Sequence, residues 1–381
     1  MAQMDRRMLL RRTLQYGGGV MMLGPTASFL AACGGDDDGG SDDTTAAPAT
    51  TAAGGTSPAT TAGGDAPADV GALDYRLSWI KNVEFAGAYI ADTNGYYTAE
   101  GFSSVNLIAG GPSAQPSEVD VSSGAAFVGI SAPDVTASAI LAGSDLKIIG
   151  AQYQKNPFCV MSLASNPIKT PEEMYGKKFG LQSANQVIWD AFVAASGIDD
   201  SKIEKFPAQF DPQPLVDGEC DCWFSFITNE PNLLKIEGIE TFSFLIADFG
   251  YPLVSETLVV KTESITNERE KVKAFLKAEV MGWRDSLKDP ALGATLTVEK
   301  YGSDLGLTVE EQTLESEAQN ELLLTDDTKA NGLFTLTDVL IEEQIATLTK
   351  AGIEITAEQL FDLSVLDEVF AENPDLKTPP V

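Results

Sequence analysis

The chain has 381 residues, of which 25 are Lys or Arg and 56 are Asp or Glu, for a net charge of −31. Hydrophobic residues make up 44% and aromatics 8%. That is enough to build packed cores, while the acidic excess excludes nucleic acid and anionic membrane surfaces, which need Lys/Arg footprints. No histidine occurs anywhere, which removes Ser–His–Asp triads, Cys–His pairs, His-ligated zinc and His acid/base chemistry together.

Residues 1–32 read as an export signal. Arg6, Arg7, Arg11 and Arg12 make a basic start. The apolar stretch from Tyr16 to Ala32 is too short, and too broken by Gly17, Gly18, Gly19 and Pro25, to span a bilayer. It closes on Leu30-Ala31-Ala32-Cys33, which resembles the lipobox of bacterial lipoproteins. The resemblance implies cleavage before Cys33 and acylation of its thiol, so that the chain is anchored outside the cytoplasm. The arginine pairs leave twin-arginine and general export both open. Residues 33–72 continue as a stalk of small and acidic residues without an aromatic. Such a segment cannot bury enough apolar surface to offset its ordering entropy, and its r.m.s. reach is on the order of 35 Å.

The remaining residues, 73–381, exceed what one core organises and predict two lobes. Strands are expected at Tyr75–Trp79, Ser104–Ile108, Ala125–Ile130, Lys147–Tyr153, Phe158–Ala164, Lys178–Leu181, Cys222–Phe226 and Leu258–Lys261. Helices fall between them at Glu84–Thr93, Pro133–Ala142, Thr170–Tyr175, Asn185–Ser196 and Asn229–Glu237. The clearest helix is Asn267–Lys288, where Val272, Phe275, Leu276, Val280, Trp283 and Leu287 keep a 3.6-residue stripe. Asn267 is placed to cap it with Glu270, and Pro290 to end it. From Val309 the chain reads mostly helical, including Thr337–Lys350. Alternating strands and helices over this length give an α/β architecture with largely parallel sheets.

Several segments, in order, resemble bacterial ABC-transporter substrate-binding proteins of the thiamine-pyrimidine-precursor and nitrate/sulfonate/taurine branch. They are Leu77-Ser78-Trp79-Ile80-Lys81-Asn82-Val83-Glu84-Phe85-Ala86-Gly87, Asn94-Gly95-Tyr96-Tyr97 through Gly101, Ser123–Ile130, Pro171–Gly180 and Asp217–Trp223. The resemblance covers about residues 75–290. It implies a two-lobed, periplasmic-binding-protein-like (type II) clamshell with two hinge crossings, lobe I spanning 73–165 plus 256–381 and lobe II 166–255. It also implies capture of a small molecule as a monomer, without a cofactor, for a separate permease and ATPase.

Ligands of open α/β sheets sit beyond the C-terminal ends of strands. Five strand-to-helix junctions therefore supply the candidates. The first offers Trp79 for stacking, Asn82 as donor and acceptor, and Phe85. The second offers Ser131, as a ligand contact or a helix cap. The third offers Gln182 and Asn185 at the opening of a helix. The fourth offers Trp223, Thr228, Asn229 and Glu230, and Glu230 matches the acid that pairs with the amino edge in the pyrimidine-precursor binders. The fifth offers Tyr251. These junctions contain no Arg, and Lys81 is their only base, whereas an anion pocket wants Arg, Lys or converging N–H donors. Aromatics, amides and an acid suit a heterocycle bearing amino donors. Flavins fit nearly as well, and a sulfonate or nitrate is the anionic alternative. Pyrimidine synthases share the fold family but carry a cysteine cluster and an essential histidine. Here only Cys159, Cys220 and Cys222 lie in the region, so capture is expected rather than conversion. A lone C-x-C gives no metal site.

Overall fold

A computed structural model of the chain describes residues 68–380. The export signal, Cys33 and the stalk up to residue 67 lie outside the described residues. Ten strands build two five-stranded sheets among them. In chain order these are β1 (Gly71–Arg76), β2 (Phe102–Ile108), β3 (Val128–Ser131), β4 (Leu146–Tyr153), β5 (Phe158–Leu163), β6 (Lys178–Gln182), β7 (Glu204–Ala208), β8 (Cys222–Phe226), β9 (Thr241–Leu245) and β10 (Ser255–Lys261). The helices used below are α1 (Ala86–Thr93), α2 (Pro133–Leu141), α3 (Gln186–Ser196), α4 (Glu230–Ile236), α5 (Arg269–Lys288) and α6 (Val309–Leu323).

The first sheet runs β2-β1-β3-β10-β4 and the second β7-β6-β8-β5-β9. Each is mostly parallel, with one reversed strand. In the first sheet β10 runs antiparallel to β3 and β4; in the second β5 runs antiparallel to β8 and β9. These are the strands that arrive from the other sheet, through residues 154–157 and 250–254, which gives the two crossings of a clamshell. Phe158–Leu163 therefore belongs to the second sheet, whereas the sequence boundary at 165 puts it in the first lobe. The first strand also differs from expectation. It begins at Gly71, inside the expected stalk, and stops at Arg76, which leaves Leu77, Ser78 and Trp79 free to line a loop.

Each lobe hides a helix under its sheet. In the first, the apolar stripe of α5 buries Val272, Phe275, Leu276, Val280 and Trp283. Burial of each large side chain is worth about 1.5–3 kcal/mol. Helix α1 crosses α5 at two glycines. A Cβ at Gly282 would sit 2.1 Å from the Gly87 carbonyl oxygen, and one at Gly87 would sit 2.3 Å from the Trp283 ring. In the second lobe, Trp189 and Phe192 of α3 pack with Phe179 and Phe224. The start of α5 differs from the expected capping box. Asn267 ends a preceding helix, Thr262–Asn267, and Glu268 stands at the cap position with its side chain turned back to accept from Ser264 Oγ at 3.0 Å instead of capping α5. Pro290 ends α5 by opening the next helix, whose Asp289 cap accepts from Leu292 N–H.

The tail supplies an unexpected polar brace. Helix α6 buries Gln312, Glu315 and Gln319. Gln312 Oε1 accepts from Val83 N–H at 2.6 Å, and Gln319 Nε2 donates to Val83 carbonyl at 3.1 Å. Asn82 Nδ2 donates to Glu315 Oε1 at 2.9 Å. The loop between β1 and α1 is thus held at the atoms of Asn82 and Val83, directly beside the cleft.

Candidate functional site

A cleft lies between the C-terminal ends of the parallel strands, with about 800 Å³ of empty space counted out to its mouth. The first lobe contributes Ser78, Trp79 and Glu84 after β1, Ser131 at the end of β3, and Glu256 from β10. The second contributes Phe158 from β5, Asn185 before α3, Phe224, Ser225 and Phe226 of β8, and Asn229 and Glu230 at the start of α4. Across the rim, the carbonyl of Pro112 accepts from Ala184 N–H at 3.0 Å and from Ser183 Oγ at 3.1 Å. The two lobes therefore meet in a closed arrangement.

Of the residues the sequence singles out, Trp79, Ser131, Asn185, Asn229 and Glu230 line this space. The others do not. Asn82 is buried with its amide committed to Glu315, and Phe85 is core. Gln182 is buried, donating to Phe224 carbonyl at 3.0 Å, and it accepts from Asn185 Nδ2 at 3.2 Å, so it positions Asn185 from behind. Trp223 alternates to the opposite side of β8 from Phe224 and packs against Gly180. Thr228 is buried off the cleft, its hydroxyl without a partner. Tyr251 is buried by the hinge and donates to Asp134 Oδ2 at 2.6 Å, tying the crossing to α2. Ser131 is not a helix cap, since Ala132 holds that position. Its hydroxyl instead neighbours the buried Glu118.

Two acids of the site were not evident from the sequence. Glu84 reads there as one charge among helix residues, and Glu256 as part of a strand. In the structure both are buried and face the cleft. The two carboxyl groups lie within hydrogen-bond reach of each other, and Glu256 also accepts from Ser78 Oγ at 2.6 Å. Burial pushes Glu256 up to about 7 and Glu84 well above the carboxylate range. Glu256 sits at φ 51, a left-handed conformation that costs an L-residue about 1–2 kcal/mol. The available clue is a single carboxylate inside the apolar run from Leu253 to Val260, because a buried acid needs a purpose or a partner.

Opposite them stands Glu230. Its Oε2 accepts from Phe226 N–H at 3.1 Å, and burial pushes it up to about 8. No Lys or Arg among the described residues lines the cleft. Arg76 lies behind the first wall, its guanidinium spent on Asp120 at 2.7 Å and on the carbonyls of Leu77, Ala109 and Gln115. Cys159, Cys220 and Cys222 are unbridged and buried, and burial pushes the Cys159 thiol up to about 12. No group of metal-binding side chains occurs among the described residues.

Two mixed α/β sheets, two crossings and a cleft at their strand ends define a two-lobed clamshell of the periplasmic-binding-protein type. Residues 82–292, more than half of the chain, match the model of the NMT1/THI5-like family, and the chain belongs to that family. It is 25% identical over 276 residues to the riboflavin-binding protein RibY of Chloroflexus aurantiacus, covering 70% of this chain and 78% of that one. It is 29% identical over 236 residues to the formylaminopyrimidine-binding protein of Halalkalibacterium halodurans, covering 59% and 70%. A solved protein of Bordetella bronchiseptica RB50 superposes with a TM-score of 0.61 at 15% identity, covering 80% of this chain and 98% of that one.

Proposed function

We propose that the chain is the extracytoplasmic solute receptor of an ABC importer, tethered through Cys33, and that its cleft captures a small aromatic heterocycle bearing amino donors. The observation that carries this reading is the composition of the cleft: three buried carboxyls, Glu84, Glu256 and Glu230, beside Trp79, Phe158 and Phe226, with no Lys or Arg. Carboxyls with raised affinity for protons accept hydrogen bonds from N–H groups, and flat apolar walls remove a ring from water. A sulfonate or nitrate would find no Lys or Arg among the described lining residues to pair its charge. The relatives named for riboflavin and for formylaminopyrimidine support the heterocycle class.

The protein captures and does not convert. It carries no histidine, and its described thiols are buried and held protonated by that burial. Ligand touching both walls favours the closed arrangement by its differential contacts. Titration calorimetry of the full chain against 4-aminopyrimidines, riboflavin, taurine and nitrate tests this. Heat from an aminopyrimidine or riboflavin, with none from the anions, is expected; binding of taurine or nitrate alone overturns the heterocycle reading.

A further inference from the structure

The acid pair on the first wall is unexplained by a single amino edge at Glu230. Glu84 is 2% exposed, faces the cleft, and its Oε1 has no hydrogen-bond partner. Glu256 is 4% exposed and its carboxylate already accepts from Ser78. The groups around the pair come from every neighbouring element. Glu315 of α6 stands behind, held by Asn82 and Gln312. Glu230 faces it from α4, and Tyr75, Tyr89 and Tyr153 surround it from β1, α1 and β4. None of these is a cation. The pair stands in a buried place with no cation opposite it, so any negative charge it carries is costly until a partner arrives.

We infer that Glu84 and Glu256 form a second subsite, distinct from Glu230, that takes a protonated amine carried by the ligand. An ammonium group brings three N–H donors and one positive charge. It satisfies Glu84 Oε1, reaches the Glu256 carboxylate and neutralises the pair. The ligand class is then a heterocycle with an amino edge toward the second lobe and a basic side-arm nitrogen toward the first. This rests on the heterocycle reading of the cleft.

The test compares 5-(aminomethyl)pyrimidin-4-amine with 5-(hydroxymethyl)pyrimidin-4-amine, which differ by one basic amine, by calorimetry on the full chain at pH 7.5. The aminomethyl compound is expected to bind at least about tenfold tighter, the range for a hydrogen bond to a charged group. Glu84→Gln and, independently, Glu256→Gln should collapse that preference to within about twofold. Glu230→Gln should weaken both compounds by a similar factor and keep the preference. Thermal melting of each variant checks folding, and the wild-type ratio stands even where a variant does not fold. Equal binding of the two compounds, or a preference that survives both first-wall variants, overturns the subsite and leaves the heterocycle reading intact. Binding of neither compound, with taurine or nitrate bound instead, overturns both.

Discussion

The two walls of the cleft use acids differently. On the first wall Glu84 and Glu256 face each other, Glu84 on a loop held by the polar brace of α6 and Glu256 on β10. On the second wall Glu230, with Glu311 of α6 as its acidic neighbour, is fixed by a backbone N–H at the turn between β8 and α4. A carboxyl held by backbone keeps its place whatever the ligand does. A carboxyl pair held by side-chain hydrogen bonds can re-form them around a charge the ligand brings. In the proposed function, the second wall positions the ring and the first wall reads its charge.

The largest expected effects come from breaking either wall's foundation. Gly87→Val drives a side chain into Trp283 beneath the first wall, and Gly180→Val drives one into Trp223 beneath the second. Overpacking of this kind costs about 1–3 kcal/mol or more. Urea unfolding should show both losses, and ligand titration should show that Gly87→Val, three residues from Glu84, spoils the preference for a basic amine.

The acids themselves give the next effect. Glu230 at about 8 and Glu256 at about 7 lie above the ordinary value of 4.5. The folded state therefore holds more protons than the unfolded chain between those values. The stability linked to them is present below pH 4.5 and is lost as pH rises through 7 and 8, at up to about 1.4 kcal/mol per pH unit for each group. Melting curves of the ligand-free protein should decline from pH 5 to pH 8.5. Glu230→Gln should flatten the upper part of that decline and Glu256→Gln the lower part.

Trp79→Ala removes the stacking face of the first wall. It should weaken an aromatic ligand by about 0.5–1.5 kcal/mol beyond lost area, read by calorimetry. The smallest effect belongs to the rim. Ser183→Ala deletes one exposed bond to Pro112, worth about 0.5 kcal/mol, and should raise the ligand's dissociation rate about twofold in stopped-flow experiments.

Much of the scaffold was legible because its signals are local. The stripe of α5, the apolar run of β4 and the turn before α3 all declare themselves by periodicity or composition. Other elements do not. β7 carries Pro207, and β9 reads Thr241-Phe242-Ser243-Phe244-Leu245 with no strong boundary, so both are fixed by their neighbours in the sheet rather than by propensity. Helix α6 was legible as a helix but not as a brace, because its buried face is Gln and Glu instead of apolar. The cleft divides the same way. Trp79, Asn185 and Glu230 follow from the strand-end rule. Trp223 breaks it because alternate residues of a strand face opposite sides. Glu84 and Glu256 are 172 positions apart and meet only through the fold.

The cleft, lined by acids and by no base among the described residues, is proposed to select an amino-bearing heterocycle. Mass spectrometry of the small molecule released by denaturing the full chain, purified without dialysis from its native host, tests it most directly. A stoichiometric aromatic heterocycle with at least one amino group is expected. A stoichiometric sulfonate, nitrate or carboxylic acid lacking such a group would contradict it.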